Sequence, residues 1–322
     1  MKAEYFARRF AFSFLAFLTS ASISFTLLRL MPGDYIQHLM PYVADLNPEL
    51  SALFRQQFGL DRSLSEQYFL YLVNVFQGNW GHSYQYCAPV FELIAEKLYW
   101  TLILLLPATF LSISIGILIG AYSGWKQGSS LDLSMLNFMI FIGAIPSYWW
   151  AITGILIFGF YLKMFPLGGF IGIHALENGI DFYDVMHHAL LPICTLTLCS
   201  LPGNYYLMRN SMLLTAGEEY IRAARAKGVS EKNILFGHAL KNAMLPMLTM
   251  ITLECAGMLT GSIFIESMFS WPGLGLLTFE ALEARDLPLL QGIFLMDALM
   301  VIFANFTADV LYSWVDPRIE LG

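Results

Sequence analysis

The chain has few charged residues and few cysteines, and each shortage excludes a class of protein. Charged side chains make up only 13% of the 322 residues, whereas apolar ones make up 57%. Soluble domains carry roughly 25% charged residues, so this composition is typical of a membrane protein. Four cysteines are too few for a disulfide framework, and Cys194 and Cys199 lack the spacing of a Cys-x-x-Cys site. The net charge of −7 argues against binding to nucleic acid.

Motifs for ATP hydrolysis and for metalloprotease chemistry are also missing. The chain contains no Gly-x-x-x-x-Gly-Lys-Ser/Thr phosphate loop, so it is not expected to hydrolyse ATP itself. It contains no His-Glu-x-x-His pair of zinc ligands. None of its six histidines falls in the middle of a long apolar stretch, which argues against a haem-binding subunit within a membrane. The sequence therefore predicts neither catalytic residues nor a cofactor.

The chain does contain six long apolar stretches, each close to or above the roughly 20 residues that a helix needs to cross a bilayer. No small-x-small cleavage pattern follows the first one, so we interpret it as a span and not as a signal peptide. We therefore predict an all-α integral membrane protein that forms a single domain over residues 1–322. The predicted spans are residues 10–30, 98–124, 133–162, 189–213, 243–269 and 288–314.

Lysine and arginine are distributed unevenly between the segments that connect these spans. If the N-terminus is cytoplasmic, eleven of the 17 Lys and Arg residues lie on the cytoplasmic side and six on the other. Positively charged residues concentrate in cytoplasmic loops. We therefore expect a multi-pass protein of the plasma (inner) membrane, with both termini and the loop over 214–242 in the cytoplasm.

The segment over 31–97, between the first two spans, is long enough to have structure of its own. A helix is predicted over 48–59, because an Asn-Pro pair begins it and a glycine ends it. Ser63 and Glu66 have the spacing of a capping box that opens a second helix, and Gly78 closes that helix. We therefore expect a small external helical cap.

The loop over 214–242 is the most charge-dense part of the chain, and it also predicts a short helix. Glu219 lies where a helix N-terminus favours negative charge, and Lys227 lies near the opposite end. Gly228 supplies the left-handed residue at which the helix stops. A charged helix between two apolar spans must lie in water.

One face of this short helix carries two methyl-sized side chains, Ala223 and Ala224, between the ring of Tyr220 and the cation of Lys227. Such a surface lets another protein approach the helix backbone closely. The residues alone leave two interpretations open, a docking surface for a soluble partner and a solvated connector.

A family resemblance favours docking. The pattern Ala-Ala-x-x-x-Gly at 223–228, continued by His-Ala-Leu-x-Asn-Ala-x-Leu-Pro at 238–246, resembles the EAA loop of ABC importer permeases. Tyr220 and the run at 224–228 are most similar to the dipeptide/oligopeptide/nickel branch, whereas Arg222 departs from the general consensus. Other stretches resemble family motifs in the right order. They are residues 28–34, 78–83, 145–149, 269–275 and 316–318.

The resemblance implies the six-span architecture of a type I importer. It implies a second homologous permease subunit, two cytoplasmic ABC ATPase subunits and an extracytoplasmic solute-binding protein. The expected cargo is di- or oligopeptides, with nickel or oligosaccharides as alternatives. An ATPase-independent secondary transporter is the alternative from another class. The residues that the resemblance assigns to ATPase coupling are Glu219, Tyr220, Ala223, Ala224, Lys227 and Gly228.

Several acidic residues fall within the predicted spans, and two histidines lie just before one. Ionisable groups inside a membrane are costly and are therefore functional candidates, which makes Glu254 and Asp297 candidates for the substrate pathway. His187 and His188 are weak candidates for a metal site. We favour a hydrogen-bonded pair at the membrane interface.

Overall fold

The computed structural model describes residues 2–30, 48–57, 61–172, 179, 181–257 and 262–315. Over these residues the regular structure is helical and contains no strand. The helices are α1 (Lys2–Leu30), α2 (Pro48–Gln57), α3 (Leu64–Phe76), α4 (Val90–Trp125), α5 (Ser130–Ala144), α6 (Ser147–Gly154), α7 (Phe182–Ala216), α8 (Glu219–Ala226), α9 (Glu231–Ile234), α10 (Leu240–Gly257), α11 (Ile263–Met268), α12 (Leu274–Glu283) and α13 (Leu287–Val315). Two π-helical segments, Ile155–Tyr161 and Leu235–Ala239, continue α6 and α9.

Four helices in the described part of the chain are long and apolar enough to cross a membrane, and a fifth qualifies if one bent pair is counted as a single span. This number and the helical content confirm an all-α protein that crosses the membrane several times. The four candidate spans are Arg8–Leu27, Val90–Trp125, Phe182–Ala216 and Leu287–Thr307.

The bent pair is the region predicted as one span over 133–162. Helices α5 and α6 meet at an angle of 91°. Ile145 between them is extended, with φ −93° and ψ 127°. The residue before a proline is sterically disfavoured in the helical conformation. Pro146 therefore ends α5 at this point, and the chain starts again in a new direction at Ser147.

The region predicted as the fifth span, over 243–269, falls on two helices. Helix α10 covers its first part and α11 its last. Residues 258–261 lie outside the described part of the chain. Over the residues that the structure describes, neither helix alone meets the length and hydropathy of a candidate span.

The helices predicted in the segment over 31–97 are present where that segment is described. Helix α2 begins at Pro48. The predicted capping box is confirmed, since the Glu66 amide donates to Ser63 Oγ and the Ser63 amide donates to the Glu66 carboxylate. Gly78 follows α3 with φ +75°, as expected of a helix stop. The remaining residues of the predicted first helix lie outside the described ranges.

The chain forms two compact units. One contains residues 1–99 and 273–322, and the other contains residues 100–272. In the first unit α1 packs against α13, and α3 lies along α1 with Tyr68 beside Phe25 and Phe76 beside Phe14. These ring contacts orient α3 antiparallel to α1.

A buried carboxylate organises the start of α13 in the first unit. The amide of Leu289 donates to Asp286 Oδ1, so Asp286 caps the helix. Ser83 Oγ and the Gln85 amide both donate to Asp286 Oδ2, at 2.5 and 3.0 Å. Asp286 thereby fixes the loop after α3 against the N-terminus of α13.

In the second unit α7 is the central helix, and it packs against α5, α6 and α10. The most buried part of α7 contains Tyr205, Met208 and Met212, all with fully buried side chains. Met208 and Met212 pack against the charged loop, whereas Tyr205 packs against α5.

Candidate functional site

Helix α8, in the charged loop, has the bounds that its caps predict. Its N-cap is Glu218, and it ends in a Schellman motif. The Val229 amide donates to the Ala224 carbonyl at 3.2 Å, and the Gly228 amide donates to the Arg225 carbonyl at 3.0 Å. Gly228 has φ +79°, and a Cβ added there would meet no atom within 4 Å. Glycine is therefore needed for the backbone conformation and not for lack of space.

The inner face of α8 is anchored in the second compact unit. Ile221 is fully buried and packs with Met208 and Met212 of α7 and with Ile234 of α9. Ala224 is half-buried against the same cluster. Burying a large aliphatic side chain contributes roughly 1.5–3 kcal/mol, so this contact holds α8 against the membrane helices.

The outer face of α8 is open. Glu219, Tyr220, Ala223 and Lys227 are exposed, whereas Ala224 lies at the edge of this face and is partly covered. The Asn242 amide group donates to the Tyr220 hydroxyl oxygen at 2.7 Å. These side chains are therefore accessible to solvent, and the aromatic end of the face is connected to α10.

Arg225 connects α8 to two other elements, and the sequence analysis missed this role. Its guanidinium makes a two-pronged interaction with Glu231 of α9, at 2.8 and 3.2 Å. It also lies 5.1 Å from the centre of the Trp125 ring, at the end of α4. Arg225 and Glu231 lie on two different helices, because Gly228 ends α8 before α9 begins. Sequence periodicity therefore gives no sign of the pair.

A buried ion pair connects α5 to α7. Arg209 Nε and Nη2 donate to the two oxygens of Asp132 at 2.7 and 2.8 Å. Ser123 Oγ of α4 also donates to this carboxylate, and the Gly128 amide does so at 3.0 Å. The Tyr205 hydroxyl bonds to Ser123 at 2.7 Å. The turn between α4 and α5 is thereby fixed to α7.

Three glycines four residues apart let α4 approach α7 closely. A Cβ at Gly116 would lie 2.6 Å from Asn204 Cβ, and one at Gly120 would lie 2.7 Å from the Tyr205 carbonyl oxygen. Gly124 repeats the contact one turn further on, at the Arg209 carbonyl. Small residues at this spacing are a known device for packing membrane helices. The pattern is visible in the sequence and could have predicted a close helix contact on this face of α4.

The two acids predicted to line the substrate pathway have different surroundings. Glu254, on α10, is half-buried, and the amide group of Asn204 donates to its Oε2 at a long 3.4 Å. Asp297, on α13, is also half-buried, and its Oδ1 has no hydrogen-bond partner among the described residues. The two acids belong to different compact units.

The two histidines each have a protein partner. His188 Nδ1 donates to the Asp184 carbonyl at 2.8 Å, and His187 Nε2 donates to the Met164 carbonyl at 3.0 Å. The Asp184 carboxylate accepts from the Gly172 amide. Over the described part of the chain no three His, Cys, Asp or Glu side chains are grouped as metal ligands. His187 and the Asp184 carboxylate therefore connect α7 to the segment before it, whereas the bond of His188 to the Asp184 carbonyl lies within α7.

Two family models together match nearly the whole chain. Residues 116–321 match the binding-protein-dependent transport system inner membrane component. Residues 2–111 match the N-terminal part of the same type of membrane component. The chain belongs to this family of ABC importer permeases. It is accordingly a multi-pass membrane component of a transport system that works with a binding protein and partner ATPases.

Three relatives illustrate the similarity of this permease to characterised and putative transport proteins. The oligopeptide transport system permease protein AppB of Bacillus subtilis is 36% identical over 99% of both chains. A putative peptide permease protein of Brucella suis is 39% identical over 92% of both. The dipeptide transport system permease protein DppB of Escherichia coli is 31% identical over 98% of both.

Proposed function

We propose that this permease forms half of the translocation pathway of an ATP-driven importer for di- or oligopeptides. All three relatives described above are named as peptide, oligopeptide or dipeptide permeases, which favours peptides over nickel or oligosaccharides as cargo. The other half of the pathway is a second, homologous permease subunit. Two cytoplasmic ATPase subunits hydrolyse ATP, which this chain does not do, and an extracytoplasmic binding protein delivers the peptide. Membership of an ABC importer family disfavours a secondary transporter.

The proposal includes the topology expected from the sequence. Six spans form a single membrane domain, both termini are cytoplasmic, and the segment over 31–97 contributes an external helical cap. The bent pair α5 and α6 is the third span, and the region over 243–269 is the fifth. In this arrangement the loop over 214–242 faces the ATPases.

The observation that carries the proposal is the combination of an open outer face and an anchored inner face on α8. The outer residues Glu219, Tyr220, Ala223 and Lys227 fit a groove on an ATPase because the exposed methyl group of Ala223 lets a partner come close to the backbone. Ala224 and Gly228 complete this surface at its edge and at its end.

Three contacts then carry a displacement of α8 to three different membrane helices. Ile221 acts on α7, Arg225 acts on α4 through Trp125, and Tyr220 acts on α10 through Asn242. When the ATPases close, movement of α8 therefore reorients several spans together, which is what alternating access requires. Glu254 and Asp297 are proposed to face the peptide pathway, since an acid at that depth can bind a peptide's amino terminus.

The test is a pair of substitutions with the same local strain. Gly228→Val forces a β-branched residue to φ +79°, and Gly78→Val does the same at φ +75° after α3. A Cβ at either position meets nothing within 4 Å. Both variants are assayed in proteoliposomes that contain the whole importer, for peptide uptake and for peptide-stimulated ATP hydrolysis.

We expect Gly228→Val to insert normally but to lose peptide-stimulated hydrolysis and uptake together, while Gly78→Val keeps both. If Gly228→Val transports peptide as the unmodified chain does, α8 is not the coupling helix. If both variants fail alike, general destabilisation explains the loss, and the coupling assignment is not supported.

A further inference from the structure

The first compact unit contains a cavity of about 560 Å³ that no step of peptide transport described above uses. Its walls come from the end of α1, from α3, from the loop over 79–87 and from the first turns of α13. Apolar side chains form one part of the wall, and among them are Phe25, Leu70 and Leu295. Polar and cationic groups form the other part.

Buried polar atoms without a partner are concentrated at this cavity. Seven side-chain nitrogen or oxygen atoms in the described part of the chain are buried and lack a hydrogen bond, and four of them belong to residues that line the cavity. Gln291 is 91% buried, and its amide nitrogen is one of the four. The others are Arg29 Nε, Gln67 Oε1 and Tyr71 Oη. Buried polar groups are normally hydrogen-bonded, so this grouping indicates a ligand that satisfies them.

The charge of the lining selects an anion. Two guanidinium groups line the cavity, those of Arg29 and Arg62, and no described Asp or Glu does. Asp286 is close in the fold, because it accepts a bond from the lining residue Ser83, but its carboxylate is fully buried and already takes three donors. Arg29 also stacks 5.4 Å from the Phe25 ring, which leaves its hydrogen-bonding edge available. Guanidinium groups with no carboxylate partner are typical of phosphate recognition.

The location of the cavity favours the phosphate of a lipid headgroup over a free phosphate ion. Arg29 follows the last residue of the apolar stretch Arg8–Leu27 by two positions. Gln291 lies in the second turn of α13, at the start of the apolar stretch Leu287–Thr307. The ends of apolar spans lie at the level of the lipid headgroups. Phe69 of α3, beside the cavity, is 68% exposed, as expected of a side chain that contacts acyl chains.

We propose that this cavity binds the phosphate headgroup of an anionic phospholipid, with Arg29 and Arg62 as the cationic contacts and Gln291 as a neutral donor. The apolar wall then lies against the lipid's glycerol backbone and the first methylene groups of its chains. Binding of such a lipid requires only that the chain lies in a membrane, and it does not depend on which cargo is transported.

The experiment is native mass spectrometry of the intact importer after removal of lipid, with added phosphatidylglycerol or phosphatidylcholine of identical acyl chains. We expect bound phosphatidylglycerol at concentrations where phosphatidylcholine does not bind. Arg29→Gln should weaken phosphatidylglycerol binding about tenfold or more, the effect of losing a charge-assisted hydrogen bond. Lys163→Gln removes a charge from an exposed side chain outside the cavity, and should leave binding unchanged.

A second variant separates ligand binding from folding. Gln291→Met has nearly the same volume and removes an amide nitrogen that has no partner in the described protein, so folding should not suffer. It should still weaken phosphatidylglycerol binding. Equal binding of the two lipids, or unchanged binding in folded Arg29→Gln and Gln291→Met, would overturn the proposal. Displacement of the lipid by an equal concentration of inorganic phosphate would also overturn it, because the site would then be one for a free anion.

Discussion

Arg209 of α7 and Asp132 of α5 form a two-pronged ion pair in which the carboxylate is fully buried and the guanidinium nearly so. The donor distances of 2.7 and 2.8 Å are those of strong charge-assisted hydrogen bonds. The pair joins three elements, because Ser123 of α4 donates to the same carboxylate. Arg209 lies on α7 beside Met208, against which Ile221 of α8 packs.

Removing one partner of this pair should destabilise the protein more than removing both charges. Arg209→Gln leaves the Asp132 carboxylate buried without its counter-charge, which costs roughly 3–5 kcal/mol for pairs of this kind. The double variant Asp132→Asn with Arg209→Gln leaves no charge behind and should recover part of that loss. The measurement is the midpoint of SDS-induced unfolding of the purified chain. A double variant as unstable as the sum of the two single variants would contradict this account.

The glycines of α4 provide a second prediction about stability. Gly120→Ala places a methyl group 2.7 Å from the Tyr205 carbonyl and 2.9 Å from Met208 Cβ. Because the first contact is with backbone, a side-chain rotation cannot relieve it, and we expect a loss of about 1–3 kcal/mol.

The matched control is Gly203→Ala on α7, where the added methyl group meets nothing within 4 Å. Alanine is the better helix former, so this variant should be neutral or more stable by up to about 1 kcal/mol. The same SDS titration compares the two variants. If Gly120→Ala were as stable as Gly203→Ala, α4 and α7 would not be in backbone contact.

Local signals in the sequence predicted the bounds of α3 and α8. Ser63, Gly78 and Gly228 act on backbone groups within a few residues of themselves, so their roles do not depend on the tertiary fold. Helices α3 and α8 therefore begin and end close to where the sequence places them. The bend between α5 and α6 at Pro146 could also be predicted from the sequence, since the constraint on the residue before a proline is local as well.

The contacts that support α8 could not be predicted in the same way. Asp132 and Arg209 are 77 residues apart, and the stacking of Arg225 on Trp125 joins residues from different helices. Which helices pack together depends on side-chain shape across the whole unit, and a single sequence contains no direct record of it. The glycine spacing on α4 signals a close helix contact but does not name the partner helix.

Breaking the pair of Arg225 and Glu231 should impair the coupling of ATP hydrolysis to transport without changing the stability of the protein. Both side chains are partly exposed, and exposed ion pairs contribute about 0–1 kcal/mol, so Arg225→Gln should barely change the unfolding midpoint. The substitution nevertheless removes the connection between α8 and the end of α4. We expect fewer peptides transported per ATP hydrolysed in proteoliposomes. Lys232→Gln, an exposed charge on α9, is the control and should keep the ratio of the unmodified importer.

The outer and inner faces of α8 should respond oppositely to substitution. Ala223→Leu adds bulk to an exposed position, so the unfolding midpoint should change by no more than about 0.5 kcal/mol. The larger side chain holds a partner away from the helix backbone, and the ATPase subunits should no longer co-purify with the chain. Ile221→Ala instead leaves a cavity at a fully buried position and should cost about 2–5 kcal/mol.

The comparison is made by co-purification and SDS titration of the same preparations, with Lys232→Leu as the control for added bulk on the neighbouring helix. Loss of the ATPases in Ala223→Leu without loss of stability identifies the outer face as the docking surface, because no change in folding then accounts for it. Retention of the ATPases in Ala223→Leu and their loss in Lys232→Leu would instead place the docking surface on α9. In that case α8 would support α9 and would not itself contact the ATPase, and its buried Ile221 would be its functional residue.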